Sequence, residues 1–278
     1  MIGIGLVKRT LLVAIALLLA TAVTASPGCS STEEPGKWLE GCRKAVDNYV
    51  AGGGYLHIKQ EVEYGLETTE GSFQQKIAIE GDDIFPERQA YEYHEAISSS
   101  QLPGQAQENS FSYLTLDGGR TAYVKGEQLS TQLEVVGWVH YTPPEGQNRY
   151  FDYPKLMGGL TSAAVKVEWV GYEDVDGIRC AHLLYAMNGQ ELLDLRMQED
   201  PTLQEKFQGI DLNEFLGDLQ VEIWIRESDD LPQRVIMDQA LSVENSVSST
   251  TRFLMLFSGY GEGPPILIEQ PAFYSEAG

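Results

Sequence analysis

Val221-Glu222-Ile223-Trp224-Ile225-Arg226, then Asp230-Leu231-Pro232-Gln233-Arg234-Val235, then Phe253-Leu254-Met255-Leu256-Phe257 decide how this chain folds. Each run is rich in β-branched, aromatic and long apolar residues, and the Asp-Asp-Leu-Pro segment between the first two is turn chemistry. In an extended strand, successive side chains point to opposite faces. Val221, Ile223 and Ile225 therefore oppose Trp224, and Phe253, Met255 and Phe257 oppose Leu254 and Leu256. Both faces are apolar, which a sheet bathed by water on one side does not need. The pattern fits a two-sided core and equally a sheet whose inner face lines a cavity.

Working outward, the same period of two recurs near the start of the body. Leu56, Ile58, Val62 and Tyr64 alternate with His57, Lys59, Glu61 and Glu63, the pattern of a half-buried strand. Further strand runs cover 73–80, 88–97, 111–117, 120–125, 134–141, 164–172, 178–187 and 233–243, for about eleven strands in all. Asp117-Gly118-Gly119 and Val175-Asp176-Gly177 read as hairpin turns, so the sheet is an antiparallel meander. Trp38, Leu39, Cys42, Ala45, Val46, Tyr49 and Val50 recur at helical spacing and stop at Gly52-Gly53-Gly54. Residues 153–157 read as a loop or short helix, and 190–217 as helical around Pro201. No repeat or composition break divides the body. The expected fold is α+β: a single antiparallel sheet domain with helices lying across one face.

The first residues read differently. Lys8 and Arg9 precede an unbroken apolar run from Leu11 to Ala20, too short for the ~20 residues of a membrane-spanning helix, and Ser26-Pro27-Gly28-Cys29 follows. This is an export signal ending in small residues before a cysteine, with Ser and Pro standing where Leu and a small residue are usual. Residues 1–28 are thus expected to be a lipoprotein signal peptide. Cys29 becomes the acylated N-terminal residue, 29–36 a polar tether and 37–278 the folded body, held on the outer face of the cytoplasmic membrane. Removing the signal leaves Cys42 and Cys180, an even number in an oxidising compartment. They are expected to be bonded, although two isolated buried thiols would look the same.

The formal charge is -22, from 19 Lys plus Arg against 41 Asp plus Glu. A phosphate backbone would be repelled, so nucleic acid is excluded as a partner. The chain holds no nucleophile elbow, zinc-protease helix, redox Cys pair, phosphate loop or dinucleotide motif, hence no expected catalytic residue, cofactor or metal. His57, His94, His140 and His182 fall one to a strand, and Asp82-Asp83 and Asp229-Asp230 read as turn acids. Trp138, Trp169 and Trp224 each sit in a strand where an aromatic either lines a cavity or fills a core.

The strand with Trp224, the Leu231-Pro232 turn, the strand ending Phe257-Ser258-Gly259-Tyr260-Gly261 and the closing Ile268-Glu269-Gln270-Pro271 resemble the mycobacterial LppX/LprG group of lipoproteins. The LolA/LolB carriers and the RseB sensor are more distant relatives of that group. Gly137-Trp138-Val139-His140-Tyr141 and Gly171 to Gly177 match two further strands, and Asp230 stands where Gly usually precedes Leu-Pro. The resemblance implies an incomplete β-barrel around a helical lid, with a hydrophobic cavity for acyl chains. Trp138, Trp169, Ile223, Trp224, Phe253, Met255 and Phe257 are then the candidate cavity residues. Its implied function is a non-enzymatic lipoprotein that binds a lipid or glycolipid and carries or presents it. The alternative is an RseB-like sensor whose partner is another envelope protein.

Overall fold

The computed structural model describes residues 34–69, 71–100, 107–126, 137–142, 152–162, 164–188, 218–243, 247–263 and 267–276. The export signal with Cys29 and the expected helical stretch 190–217 lie outside the described residues.

Helix α1 (Pro35–Ala51) opens with Pro at its start, where the missing N–H costs nothing. It buries Leu39, Cys42 and Val46 along one stripe and ends at Gly52. Strands β1 (Tyr55–Thr68), β2 (Gly71–Ile84), β3 (Arg88–Ser99), β4 (Gln107–Leu116), β5 (Thr121–Gly126) and β6 (Trp138–Tyr141) follow. Next come α2 (Tyr153–Ser162), β7 (Ala164–Val175), β8 (Ile178–Asn188), β9 (Asp218–Arg226), β10 (Pro232–Val243), β11 (Val247–Ser258) and the short β12 (Tyr274–Glu276). All twelve strands form one sheet in the order β12-β6-β5-β4-β3-β2-β1-β11-β10-β9-β8-β7. Two antiparallel meanders, β1–β6 and β7–β11, are joined where β1 pairs β11. The sheet ends at β12, which runs parallel to β6, and at β7. Among the described residues these two edges do not pair, so the sheet is an open, incomplete barrel of the expected α+β class.

The turns show why the hairpins close. Asp176 and Gly177 both have positive φ, 52° and 80°, which the tight β7–β8 turn requires. Asp230 adopts φ 57° at the position where Gly was usual, a conformation Asp tolerates. At the β2–β3 contact, a Cβ on Gly81 would meet the Ala90 carbonyl oxygen at 2.1 Å, so only Gly allows the strands to approach there.

Strand β2 runs past the expected end at residue 80, and Asp82 and Asp83 therefore lie within it, on opposite faces, instead of in a turn. The main core lies on one face, under α1 and α2: Leu56, Ile58, Ile223, Val235, Met255, Phe257, Tyr153 and Met157 all join it. This is the helix face. The outer face carries two smaller clusters, one around Leu114, Tyr123 and Ile268, the other around Val175, Cys180 and Trp224.

Candidate ligand-binding face

Register carries one apolar band across the helix face. Met255 lies opposite Gln60, and Phe253 opposite Val62. Val62 in turn faces Ile77, Ile79 faces Tyr93, and Tyr93 faces Phe111. Towards the other edge, Met255 faces Val235, Val235 faces Ile223, Ile223 faces Leu183 and Leu183 faces Trp169. Five of the expected cavity residues, Trp169, Ile223, Phe253, Met255 and Phe257, thus share one surface.

Trp138 and Trp224 do not. Trp138 packs on the outer face against the cluster that contains Ile268. Trp224 stacks on His182 at 4.1 Å, donates its indole N–H to Glu173 at 2.8 Å, and carries the Arg234 guanidinium 5.1 Å from its ring. Both expectations are corrected for the same reason: each Trp alternates with residues of the helix face and so points away from it.

Cys42 and Cys180 are also separated by the sheet. Cys42 is in the core beneath α1, whereas Cys180 belongs to the outer cluster with Trp224, and both are free thiols. A bridge would have to pass through the sheet, so the expected disulfide is absent. Burial pushes the Cys180 thiol up to about 11 and the Cys42 thiol further still, which makes both unreactive near neutral pH.

The helices cover one end of the band. Tyr49 of α1 donates to the Tyr55 carbonyl at the start of β1, and Trp38 stacks on Trp169 with ring centres 6.1 Å apart. From α2, Tyr153 packs against Phe85 and Phe257 and hydrogen-bonds the Tyr260 hydroxyl at 2.8 Å, which donates to the Pro232 carbonyl. These anchors all lie at the end of the sheet holding the β1 start and the β11 end. At the opposite end the band continues through Val62, Tyr64, Ile77, Tyr93, Met237 and Phe253.

A polar island interrupts that second half. Glu95 accepts hydrogen bonds from the Gln75 amide and, at 2.7 Å, from the Asn109 amide. Burial, with the Glu95 charge adding to it, pushes the Tyr93 phenol up to about 12. Gln75 is 7% exposed, and its Oε1 has no hydrogen-bond partner. Sequence reasoning passed over all three residues. Their signal was one of phase: Glu95 falls two residues after Tyr93, at a position that alternation assigns to the buried face.

Three of the four histidines serve cross-strand pairs on the outer face. His57 bonds Asp82, His140 bonds Glu276, and His182 lies between Glu173 and Glu222. A shallow depression of about 540 Å³ on this face, around Ala78 and Ala96, is walled by charged residues such as Glu61, Glu63 and Lys76.

No protein-family model matches the chain, and no curated protein does. Solved structures give similarities. LprF from Mycobacterium bovis is 14% identical at TM-score 0.44, over 88% of this chain and 100% of that one. The Mycobacterium tuberculosis lipoprotein LppX is 15% identical at TM-score 0.42, over 85% and 100%. A lipoprotein-sorting protein domain from Vibrio parahaemolyticus is 9% identical at TM-score 0.26, over 83% and 95%.

Proposed function

We propose that this chain is an extracytoplasmic lipoprotein that binds a lipid or glycolipid non-covalently on its helix face and carries or presents it. In this reading residues 1–28 are removed, Cys29 is acylated, residues 29–36 tether the body to the membrane and residues 37–278 hold the ligand. The protein acts by binding, not by catalysis.

The observation that supports it is the extent of the apolar band relative to the described helices. Twelve strands about 4.8 Å apart, with a mean length of about 10 residues or about 33 Å, make a face of roughly 50 by 33 Å. Helices of 17 and 10 residues are about 25 and 15 Å long and about 10 Å thick. They cover roughly a quarter of that face. Apolar side chains continue well past them, in a ribbon of a width and length that suit acyl chains.

Transfer needs no fuel in this scheme. Each buried methylene contributes ~0.8 kcal/mol, and a bilayer offers nearly the same, so chains exchange close to neutrality in either direction. Met237, Met255 and Met157 give the face side chains that adapt to an irregular ligand. The side chain of Met187, which would suit the same role, lies outside the described residues.

Native mass spectrometry of the purified protein, followed by organic extraction, tests the reading. Bound acyl species near one per chain, in addition to any covalent lipid, are expected. A mass free of ligand after incubation with total envelope lipid would overturn it, and a specific envelope protein retained in its place would support the sensor alternative.

A further inference from the structure

We propose that Glu95, braced by Gln75 and Asn109, is the specificity-determining group of the helix face, admitting lipids with uncharged, hydroxyl-bearing headgroups and rejecting anionic phospholipids. The inference rests on the lipid-binding reading above and concerns which headgroup that face accepts.

Three observations carry it. The first is position: Glu95 lies opposite Ile77 on one side and Asn109 on the other, inside the band that runs from Phe253 through Val62 to Phe111. A headgroup at this point of the band meets the carboxylate directly.

The second is the charge of the face. Among the described residues of β1–β5 and β9–β11, Lys59, Lys76, Arg88, Lys125, Arg234 and Arg252 alternate onto the outer face. Arg226, at the end of β9, lies over the Tyr260 ring 5.1 Å away at the helix-covered end, five strands from Glu95. The residues that α1 and α2 bury are without cations: Leu39, Cys42, Val46, Tyr153, Met157 and Leu160. A phosphate here would face Glu95 with no cation beside it among the described residues to offset the repulsion, and in an apolar surrounding that repulsion is poorly screened.

The third is an acceptor without a donor. Gln75 is nine-tenths buried, spends its N–H on Glu95 and leaves Oε1 unpartnered. An unpaired buried acceptor is costly. A headgroup hydroxyl donates to it, whereas a phosphate diester, which only accepts, does not. Repulsion and pairing therefore select in the same direction, as specific sites commonly do.

The test is a competition. The purified, delipidated full chain is incubated with vesicles holding equal amounts of galactosyl-dioleoylglycerol and dioleoyl-phosphatidylmethanol, an anionic phosphate diester whose headgroup has no hydroxyl, then re-isolated and extracted. Equal acyl chains isolate the headgroup. The wild type is expected to retain the galactolipid over the phospholipid by about tenfold or more. Glu95→Gln, which keeps size and removes charge, is expected to bring the ratio towards parity by admitting phosphatidylmethanol. Gln75→Leu is expected to lower galactolipid retention without admitting the phospholipid. Equal retention of both lipids by the wild type, or a ratio unchanged in Glu95→Gln, overturns the inference and leaves lipid binding standing. Retention of neither lipid overturns both.

Discussion

Asp82 shows how a single side chain couples the outer face to pH. Burial alone would raise its carboxyl, but hydrogen bonds from His57 at 2.9 Å and Tyr55 at 2.6 Å outweigh that and hold it below the usual range. The same bond to Asp82, the largest influence on His57, raises the imidazole above its ordinary value. The depressed carboxyl stabilises the fold above its unfolded value and loses that contribution as pH falls through the folded one. The raised imidazole contributes fully below its unfolded value and loses it as pH rises through the folded one. The pair therefore contributes most between about pH 4 and about pH 6.5. Since His57 is partly exposed, roughly 0.5–1 kcal/mol is at stake. Urea melts of Asp82→Asn against wild type should differ more at pH 5 than at pH 9. A difference that does not change between those values would remove the pair from the account of stability.

At the scale of elements, α1 should hold the sheet end through three buried side chains, of which Leu39 is free of any hydrogen-bonding role. Leu39 is 4% exposed in the main core. Leu39→Ala removes apolar contact and leaves a cavity, for a loss of about 2–4 kcal/mol. The urea midpoint should fall while the denaturant slope stays unchanged, as for one cooperative unit. A loss below about 0.5 kcal/mol would mean that α1 frays before the sheet unfolds. This helix was legible in sequence because its signal is local: Leu39, Cys42 and Val46 repeat within three turns and a Gly run ends them. Hairpins at Asp117-Gly118-Gly119 and Asp176-Gly177 were legible for the same reason. The face chosen by Trp224 was not, because alternation assigns Val221, Ile223 and Ile225 to one side without saying which side the helices cover, and both sides are apolar. Trp138 escaped for a related cause, its cover being Ile268, far along the chain. Strand β12 has three residues and no period to detect. Cys42 and Cys180 each looked like half of a bridge until the sheet was placed between them.

On the scale of the whole molecule, the two faces divide the charge. The helix face is almost free of it, so nearly all of the formal -22 is spread over the outer face, the helix exteriors and the loops. Cross-strand pairs such as Lys59 with Glu80 at 2.8 Å, Arg179 with Glu227 at 2.9 Å and Arg252 with Asp238 at 3.5 Å use up the few cations available. Exposed pairs of this kind contribute little each, while the excess of 41 acids over 19 bases repels itself across the whole surface. Salt weakens both, but the unpaired acids outnumber the pairs, so the net effect of screening should be stabilising. Moving from about 10 mM to about 0.5 M sodium chloride, which shortens the Debye length from about 30 Å to about 4 Å, should raise the melting temperature by about 2–4 °C, equivalent to about 1 kcal/mol for a body of this size. A fall in melting temperature would mean that the ion pairs outweigh the repulsion. The same surplus bears on the proposed function, because an acidic body does not settle on an anionic bilayer by itself. Under the proposed function, contact with the membrane then falls to the tether, and the largely apolar helix face is what remains to meet a lipid.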